Sequence, residues 1–198
     1  RDDVESRGLG DVYKRQVYDM KKILFAASEA VPFMKTGGLA DVTGSLPKYF
    51  DKKNYDVRVI LPKYVCMEER WKGQLHFLCH FYVNLSWRKQ YVGIFETTYD
   101  GITYYLVDNE FYFAGNAPYN NIYEDVEKFA FFSKAVLEAL PYLDFCPDII
   151  HCHDWQTGLL PVFLRTLYGD EEYYTGIKTV FSLSLIHISE PTRLDVIS

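Results

Sequence analysis

The residues best suited to chemistry fall in three short stretches. In the first, Lys35-Thr36-Gly37-Gly38-Leu39-Ala40-Asp41, a cation and two adjacent glycines lie between an apolar run and a segment of helical spacing. Backbone N–H groups at a helix start are unpaired and carry partial positive charge, so such a corner can seat an anion without a special side chain. Gly37 and Gly38 let the main chain approach closely. Lys35 adds a full charge on a long stem, and Asp41 can favour the helix dipole or accept a ligand hydroxyl. An ordinary glycine turn with a solvated lysine has the same pattern, and the spacing alone leaves both readings open.

The second stretch is HCHDWQTGLLP, residues 151–161, where a strand runs out into a helix. Side chains alternate along a strand, so His151 and His153 share one face and Cys152 and Asp154 the other. His151, deeper in the strand, is expected to be a core histidine with its hydrogen bonds met. His153 is expected to hydrogen-bond a ligand hydroxyl, and Asp154 to cap the helix that begins at Trp155. A His-x-His pair beside a cysteine raises zinc, but a closed site takes four ligands and the other candidates are scattered, so no metal is expected. In the third stretch, Glu124, Asp125 and Glu127 open a helix as charges that favour its dipole. Other chemistries lack their fingerprints: the chain has no GxxxxGK[ST], no GxGxxG, no GxSxG elbow and no carboxylate pair whose placement proposes a glycosidase.

Behind these stretches stand the elements that must position them. KKILFAAS, residues 21–28, is a short apolar run expected to be a strand buried on both faces. LADVTGSLPKYF follows as a helix with Leu39, Val42, Leu46, Tyr49 and Phe50 at helical spacing, kinked or ended at Pro47. YDVRVILPKY, residues 55–64, gives a second strand and hence a parallel sheet. From Gln74 to Asp108, QLHFLCHFYVNLSW, QYVGIFETTY and ITYYLVD read as an antiparallel meander beside that sheet, with Asp100-Gly101 as a tight turn. NIYEDVEKFAFFSKAVLEALPYL is a helix that buries Val126, Phe129, Ala130, Ser133, Val136, Leu137 and Leu140 and turns Glu127 and Lys128 outward. PDIIHCHD is a buried strand, WQTGLLPVFLRTLYG a helix ending near Gly169, and GIKTVFS a further strand. The alternation predicts a doubly wound, Rossmann-like α/β domain with a mostly parallel sheet. Ligands of such sheets bind at the carboxyl ends of the strands, where the Lys35 and His153 corners can face one cleft.

Composition narrows the partners. The chain has 198 residues, 48% hydrophobic and 24% charged, enough for one domain with a sizeable core. A net charge of -6 lacks the basic field that phosphate neutralisation requires, so nucleic acid is not expected as a partner. No apolar run reaches the roughly 18–20 residues of a membrane span, and the N-terminal stretch has no signal-peptide core. Cys66, Cys79, Cys146 and Cys152 form no CxxC pair and read as reduced thiols, so a cytoplasmic protein without membrane partners is expected. Aromatic residues make up 17% of the chain, which suits thick core packing or a surface that meets flat rings. Residues 1–17 and 183–198 break the patterning. Their DVYKRQ and SLIHISEPTR resemble translated sequencing-adapter read-through, and both are expected to be non-native tails.

KILFAASEAVPFMKTGGLADVTGSLPKYF and DIIHCHDWQTGLLPVFLR, at this distance from each other, resemble the N-terminal domain of the bacterial glycogen synthases, which share their ADP-glucose-dependent retaining reaction with plant starch synthases. The resemblance covers about Lys21 to Phe181. It implies the N-terminal half of a GT-B glycosyltransferase, with residues 18–182 as an incomplete N-terminal catalytic domain, ADP-glucose as the donor substrate, an α-1,4-glucan such as glycogen as the acceptor, and no cofactor. By the same resemblance, Lys35 and the Gly37-Gly38 backbone contact the donor diphosphate and adjoining sugar, with Asp41 nearby. His153 hydrogen-bonds the transferred glucose, Asp125 belongs to the same cleft, and Tyr119 to Tyr123 line the acceptor path. Family members continue after KTVF with a T-[IV]-H-N type strand end, whereas this chain turns to SLSLIHIS. Transfer by the 198 residues alone is therefore not expected. A glucan-binding module without transfer, or another GT-B enzyme using a UDP-sugar, are the competing expectations.

Overall fold

The computed structural model describes residues 20–183, so the expected tail at 1–17, and all but Leu183 of the one at 183–198, lie outside the described residues. Strand β1, Lys21–Ala26, is buried from Ile23 onward. It pairs in parallel with β2, Tyr55–Pro62, and with β6, Ile149–His153. Between these in sequence come β3, His76–Leu85, β4, Arg88–Tyr99, and β5, Ile102–Asp108; β7, Lys178–Ser182, closes the order. One seven-stranded sheet results, ordered β3-β4-β5-β2-β1-β6-β7. The expected meander is present, but it is part of the main sheet: β5 is antiparallel to β4 and parallel to β2. Its turn is made by Asp100 and Gly101, both at positive φ (52° and 72°), which is the backbone a two-residue hairpin requires.

Among the described residues, five α-helices connect the strands: α1, Gly38–Ser45, α2, Glu69–Lys72, α3, Glu110–Phe113, α4, Ile122–Ala139, and α5, Leu159–Thr166. The chain winds from β1 through β2 to β5 on one side of β1, then crosses by α4 to β6 on the other. The order reverses between β1 and β6. In an open α/β sheet that is where a crevice opens at the carboxyl ends of the strands.

The two faces of the sheet bury different partners. Leu24, Ala26, Ile60, Tyr105 and Cys152 pack with residues of α4 and α5 in the larger cluster. Ile23, Phe25, Val57, Val59 and Leu106 pack with Phe33, Met67 and Phe50 in the other. Phe33 and Phe50 bracket α1, so the glycine segment lies on this second face.

Several local expectations are corrected. Helix α1 does end before Pro47, where a 3-10 turn over Leu46–Tyr49 takes the proline in its first positions. Its buried face, however, is Ala40, Thr43 and Gly44, with Val42, Leu46 and Tyr49 exposed. The reason is close approach: a Cβ on Gly44 would meet Val31 Cγ2 at 2.3 Å. In α4, Val126 is exposed and Lys128 is buried, the reverse of the periodic reading. Strand β2 stops at Pro62, and α5 spans only Leu159–Thr166, after a separate 3-10 turn at Trp155–Thr157.

Candidate functional site

The site is built where β1 and β6 end. Beyond Ala26 the chain continues as Ala27-Ser28-Glu29, and Glu29 is buried despite its charge. Buried carboxylates require hydrogen-bond donors. Thr36 donates its Oγ1 hydroxyl to both carboxylate oxygens, at 2.9 and 3.0 Å, and its backbone N–H to Oε2. The Tyr119 hydroxyl donates to Oε1 at 2.8 Å and lies 2.8 Å from Ser28 Oγ. Burial, reinforced by the Glu29 carboxylate, keeps the Tyr119 phenol protonated far above the ordinary tyrosine range. The Tyr64 hydroxyl closes the cluster by donating to the Ser28 carbonyl at 2.9 Å. Glu29 was not legible in the sequence. Its only signal was its place, directly after a strand buried on both faces.

Thr36 sits between Lys35 and Gly37, so Glu29 ties the glycine segment to the end of β1. Gly37 is the N-cap of α1 in extended conformation, with no side-chain cap on the first-turn amides. Among the described residues, its chain neighbours aside, no atom lies within 4 Å of where its Cβ would be. Lys35 Nζ contacts Asp41 Oδ1 at 2.7 Å, with both side chains about half exposed (53% and 54%). An ion pair this exposed is worth about 0–1 kcal/mol, so an incoming anion can displace Asp41 with little loss.

The other corner is buried. His153 is 3% exposed, and its Nε2 is among the buried side-chain atoms without a hydrogen-bond partner. Burial first, and the charge of His151 second, push its imidazole down to about 3, so it is neutral near pH 7. The His151 and His153 ring centroids lie 4.0 Å apart, and both rings pack on Phe25. His151 is half-buried rather than in the core as expected, and its Nε2 lies 2.8 Å from Ser182 Oγ. Phe25 belongs to the second face of the sheet. The segment that bears Lys35 follows β1, and His153 ends β6, the strand beside it, so both lie beyond the carboxyl ends of adjacent strands.

Asp154 does not cap the following turn with its side chain. It is buried, with φ 60° and ψ 176°, a strained backbone for a residue with a Cβ. Its N–H donates to the Ser182 carbonyl at 2.8 Å, and Thr157 Oγ1 donates to the carbonyls of His153 and Asp154 at 2.9 and 3.1 Å. The turn is thus held by that backbone bond and by the Thr157 hydroxyl. The Asp154 charge contributes to the raised Tyr119 phenol, which places the two within electrostatic reach.

Asp125 lies inside. Its carboxylate contacts Lys128 Nζ at 2.6 Å and accepts the Asn120 N–H at 3.2 and 3.1 Å. The structure thus joins Asp125 to the loop that bears Tyr119. The helix is capped by Asn121, whose side chain accepts from the N–H groups of Tyr123 and Glu124. Of residues 119–123, Tyr119 turns inward and Tyr123 outward, while Asn120 borders a pocket of about 290 Å³ with Arg88, Phe111 and Glu127. A second pocket, of about 230 Å³, lies beside Trp155, Gln156 and Phe129.

The protein-family profile described as the starch synthase catalytic domain matches residues 22–187. The chain belongs to the starch synthase catalytic-domain family. It is 65% identical over 164 residues to a glycogen synthase of Lachnoclostridium phytofermentans, covering 83% of this chain and 34% of that protein. It is 60% identical over 164 residues to one of Lachnospira eligens, with the same coverage. The catalytic domain of starch synthase IV from Arabidopsis thaliana, bound to ADP and acarbose, superimposes with a TM-score of 0.71 at 29% identity, covering 82% of this chain and 33% of that one. The chain therefore spans about a third of the length of the relatives it matches. Within this starch synthase fold, no group of three or more His, Cys, Asp or Glu that could hold a metal occurs among the described residues. Nor is any described helix long and apolar enough to cross a membrane. The four cysteines are free.

Proposed function

We propose that this chain is the N-terminal part of a cytoplasmic glucosyltransferase that moves glucose from ADP-glucose to the non-reducing end of an α-1,4-glucan with retention. ADP-glucose is a substrate in this reading, and neither cofactor nor metal takes part. The observation that carries it is that the Lys35 segment follows β1 and His153 ends the adjacent β6 in a starch synthase fold. Lys35 and the uncapped amides of α1 would hold the donor diphosphate, Gly37 and Gly38 giving it room and Asp41 releasing the lysine as the phosphate arrives. His153, neutral and with an unpartnered Nε2, would hydrogen-bond a hydroxyl of the transferred glucose. The Arabidopsis relative's complex with ADP and acarbose supports a nucleotide and a glucan-like ligand on one fold.

Stabilising a departing diphosphate takes preorganised positive charge, usually the dominant catalytic effect. From this chain, Lys35 and the helix start would supply it. These 198 residues alone are therefore expected to show no transfer. Purified chain incubated with radiolabelled ADP-glucose and glycogen should incorporate no label; incorporation would contradict this part of the reading. Exposed Phe77, Tyr82 and Trp87 on and beside β3 favour a second reading, a glucan-binding module. Affinity electrophoresis in glycogen separates the two, because a module is retarded equally with and without Lys35→Ala. A UDP-sugar donor would show as equal competition by UDP-glucose in a binding assay.

A further inference from the structure

Lys128 stands out among the charged side chains of the fold. It is a lysine on α4, 4% exposed, whose ammonium contacts Asp125 Oδ1 at 2.6 Å and donates to the Pro118 carbonyl at 2.6 Å. Asp125 in turn accepts the Asn120 N–H. The pair thus grips the chain at residues 118 and 120, on either side of Tyr119. From Tyr119 the contacts continue through its hydroxyl to Glu29, and from Glu29 to the hydroxyl and amide of Thr36, the residue between Lys35 and Gly37.

We infer that Lys128 and Asp125 are positioning residues for the glycine segment: by fixing residues 118–120 they set the Tyr119 hydroxyl on Glu29, which holds Thr36 and with it the Lys35–Gly38 corner. The consequence for donor binding rests on the proposed function; the mechanical link does not. Without the clamp, Tyr119 keeps its ring contact with Phe129 and the Ser28 Oγ beside its hydroxyl, but the backbone at residues 118–120 is no longer held to aim that hydroxyl at Glu29. Glu29 then loses a donor at Oε1 and is free to turn from Thr36. The ion pair is also a form of specificity, since a buried pair can fix one arrangement where apolar residues would allow several.

The test uses the 198-residue chain with Lys128→Met and Asp125→Leu combined, which leaves no unpaired charge inside, and reads amide hydrogen exchange by NMR. The Thr36 amide should exchange at least about tenfold faster than in the wild type, while the β-core amides of Ile60 and Leu106 keep their rates. An unchanged Thr36 rate in a folded double variant overturns the inference. Should the double variant fail to fold, Tyr119→Phe keeps the clamp and removes only the hydroxyl. It should accelerate Thr36 to the same extent, and an unchanged rate again overturns the link. ADP-glucose titration of the same samples should show a weakened Kd in step with the Thr36 rate. If the wild type binds no ADP-glucose, the proposed function fails, while the Thr36 rates still decide the clamp.

Discussion

The two corners of the crevice are built in opposite ways. The Lys35 corner is open: its cation is half exposed, its partner Asp41 equally so, and α1 starts without a side-chain cap. The His153 corner is closed, with a 3% exposed imidazole that lacks a partner at Nε2 and an adjoining Asp154 held at positive φ. An exposed charge can exchange one partner for another at little cost, which suits the arrival and departure of a diphosphate. A buried, preset polar group loses nothing to reorganisation when a hydroxyl meets it, which suits recognition of the sugar. Between the corners runs the Glu29–Tyr119 bridge, itself anchored by a buried ion pair.

This contrast predicts where substitutions are felt in stability and where in binding. The largest stability effect is expected at the anchor, where Asp125→Ala leaves the Lys128 ammonium buried without its counter-ion. The loss should be about 3–5 kcal/mol, read by urea denaturation. A loss under about 1 kcal/mol would mean the pair is not buried in solution.

Next comes acid sensitivity at the closed corner. The folded His153 titrates at about 3, whereas an unfolded histidine titrates near 6.5, so the unfolded chain binds one more proton across that window. Stability present above about pH 6.5 is therefore lost as pH falls toward about 3, by up to about 1.4 kcal/mol per pH unit. Burial lowers His151 as well, which adds slope of the same sign. Replacing His153 by Asn should remove about one proton's worth of slope in denaturation curves collected from pH 7 to 4.5; an unchanged slope would place His153 in solvent.

At the open corner the effect moves from stability to binding. Lys35→Ala should change unfolding free energy by less than about 0.5 kcal/mol. Its affinity for ADP-glucose should fall tenfold or more, as expected for a charge-assisted contact of about 1.5–3 kcal/mol. Calorimetry at two salt concentrations checks this, since the wild type alone should lose affinity strongly as salt rises. Smallest is Asp41→Asn, which frees Lys35 and should leave stability within about 0.5 kcal/mol while leaving ADP-glucose affinity unchanged or slightly higher.

Much of this was legible in the sequence, for a physical reason. Strand β1 is buried from Ile23 onward and reads as a short apolar run, β2 showed itself by its β-branched residues, and Asp100-Gly101 announces its turn through positive φ. Family motifs carried Lys35, the glycines and His153. What escaped was polar burial. Periodicity assigns a lysine to the solvent side of a helix, and nothing local to Lys128 says that Asp125 and the Pro118 carbonyl wait inside. Glu29 finds its partners 7 and 90 residues away, beyond any pattern. Helix α1 misled because it packs by close approach through Gly44 and Ala40, leaving its larger apolar residues exposed.

The decisive measurement is an NMR titration of the chain with ADP-glucose, following the Gly37 and Gly38 amides and the His153 imidazole together. Both sets of signals should shift along one saturation curve with a single Kd, and Lys35→Ala should weaken both equally. Shifts at the glycine amides with a silent His153, or two curves with different Kd values, would show that the corners do not serve one donor.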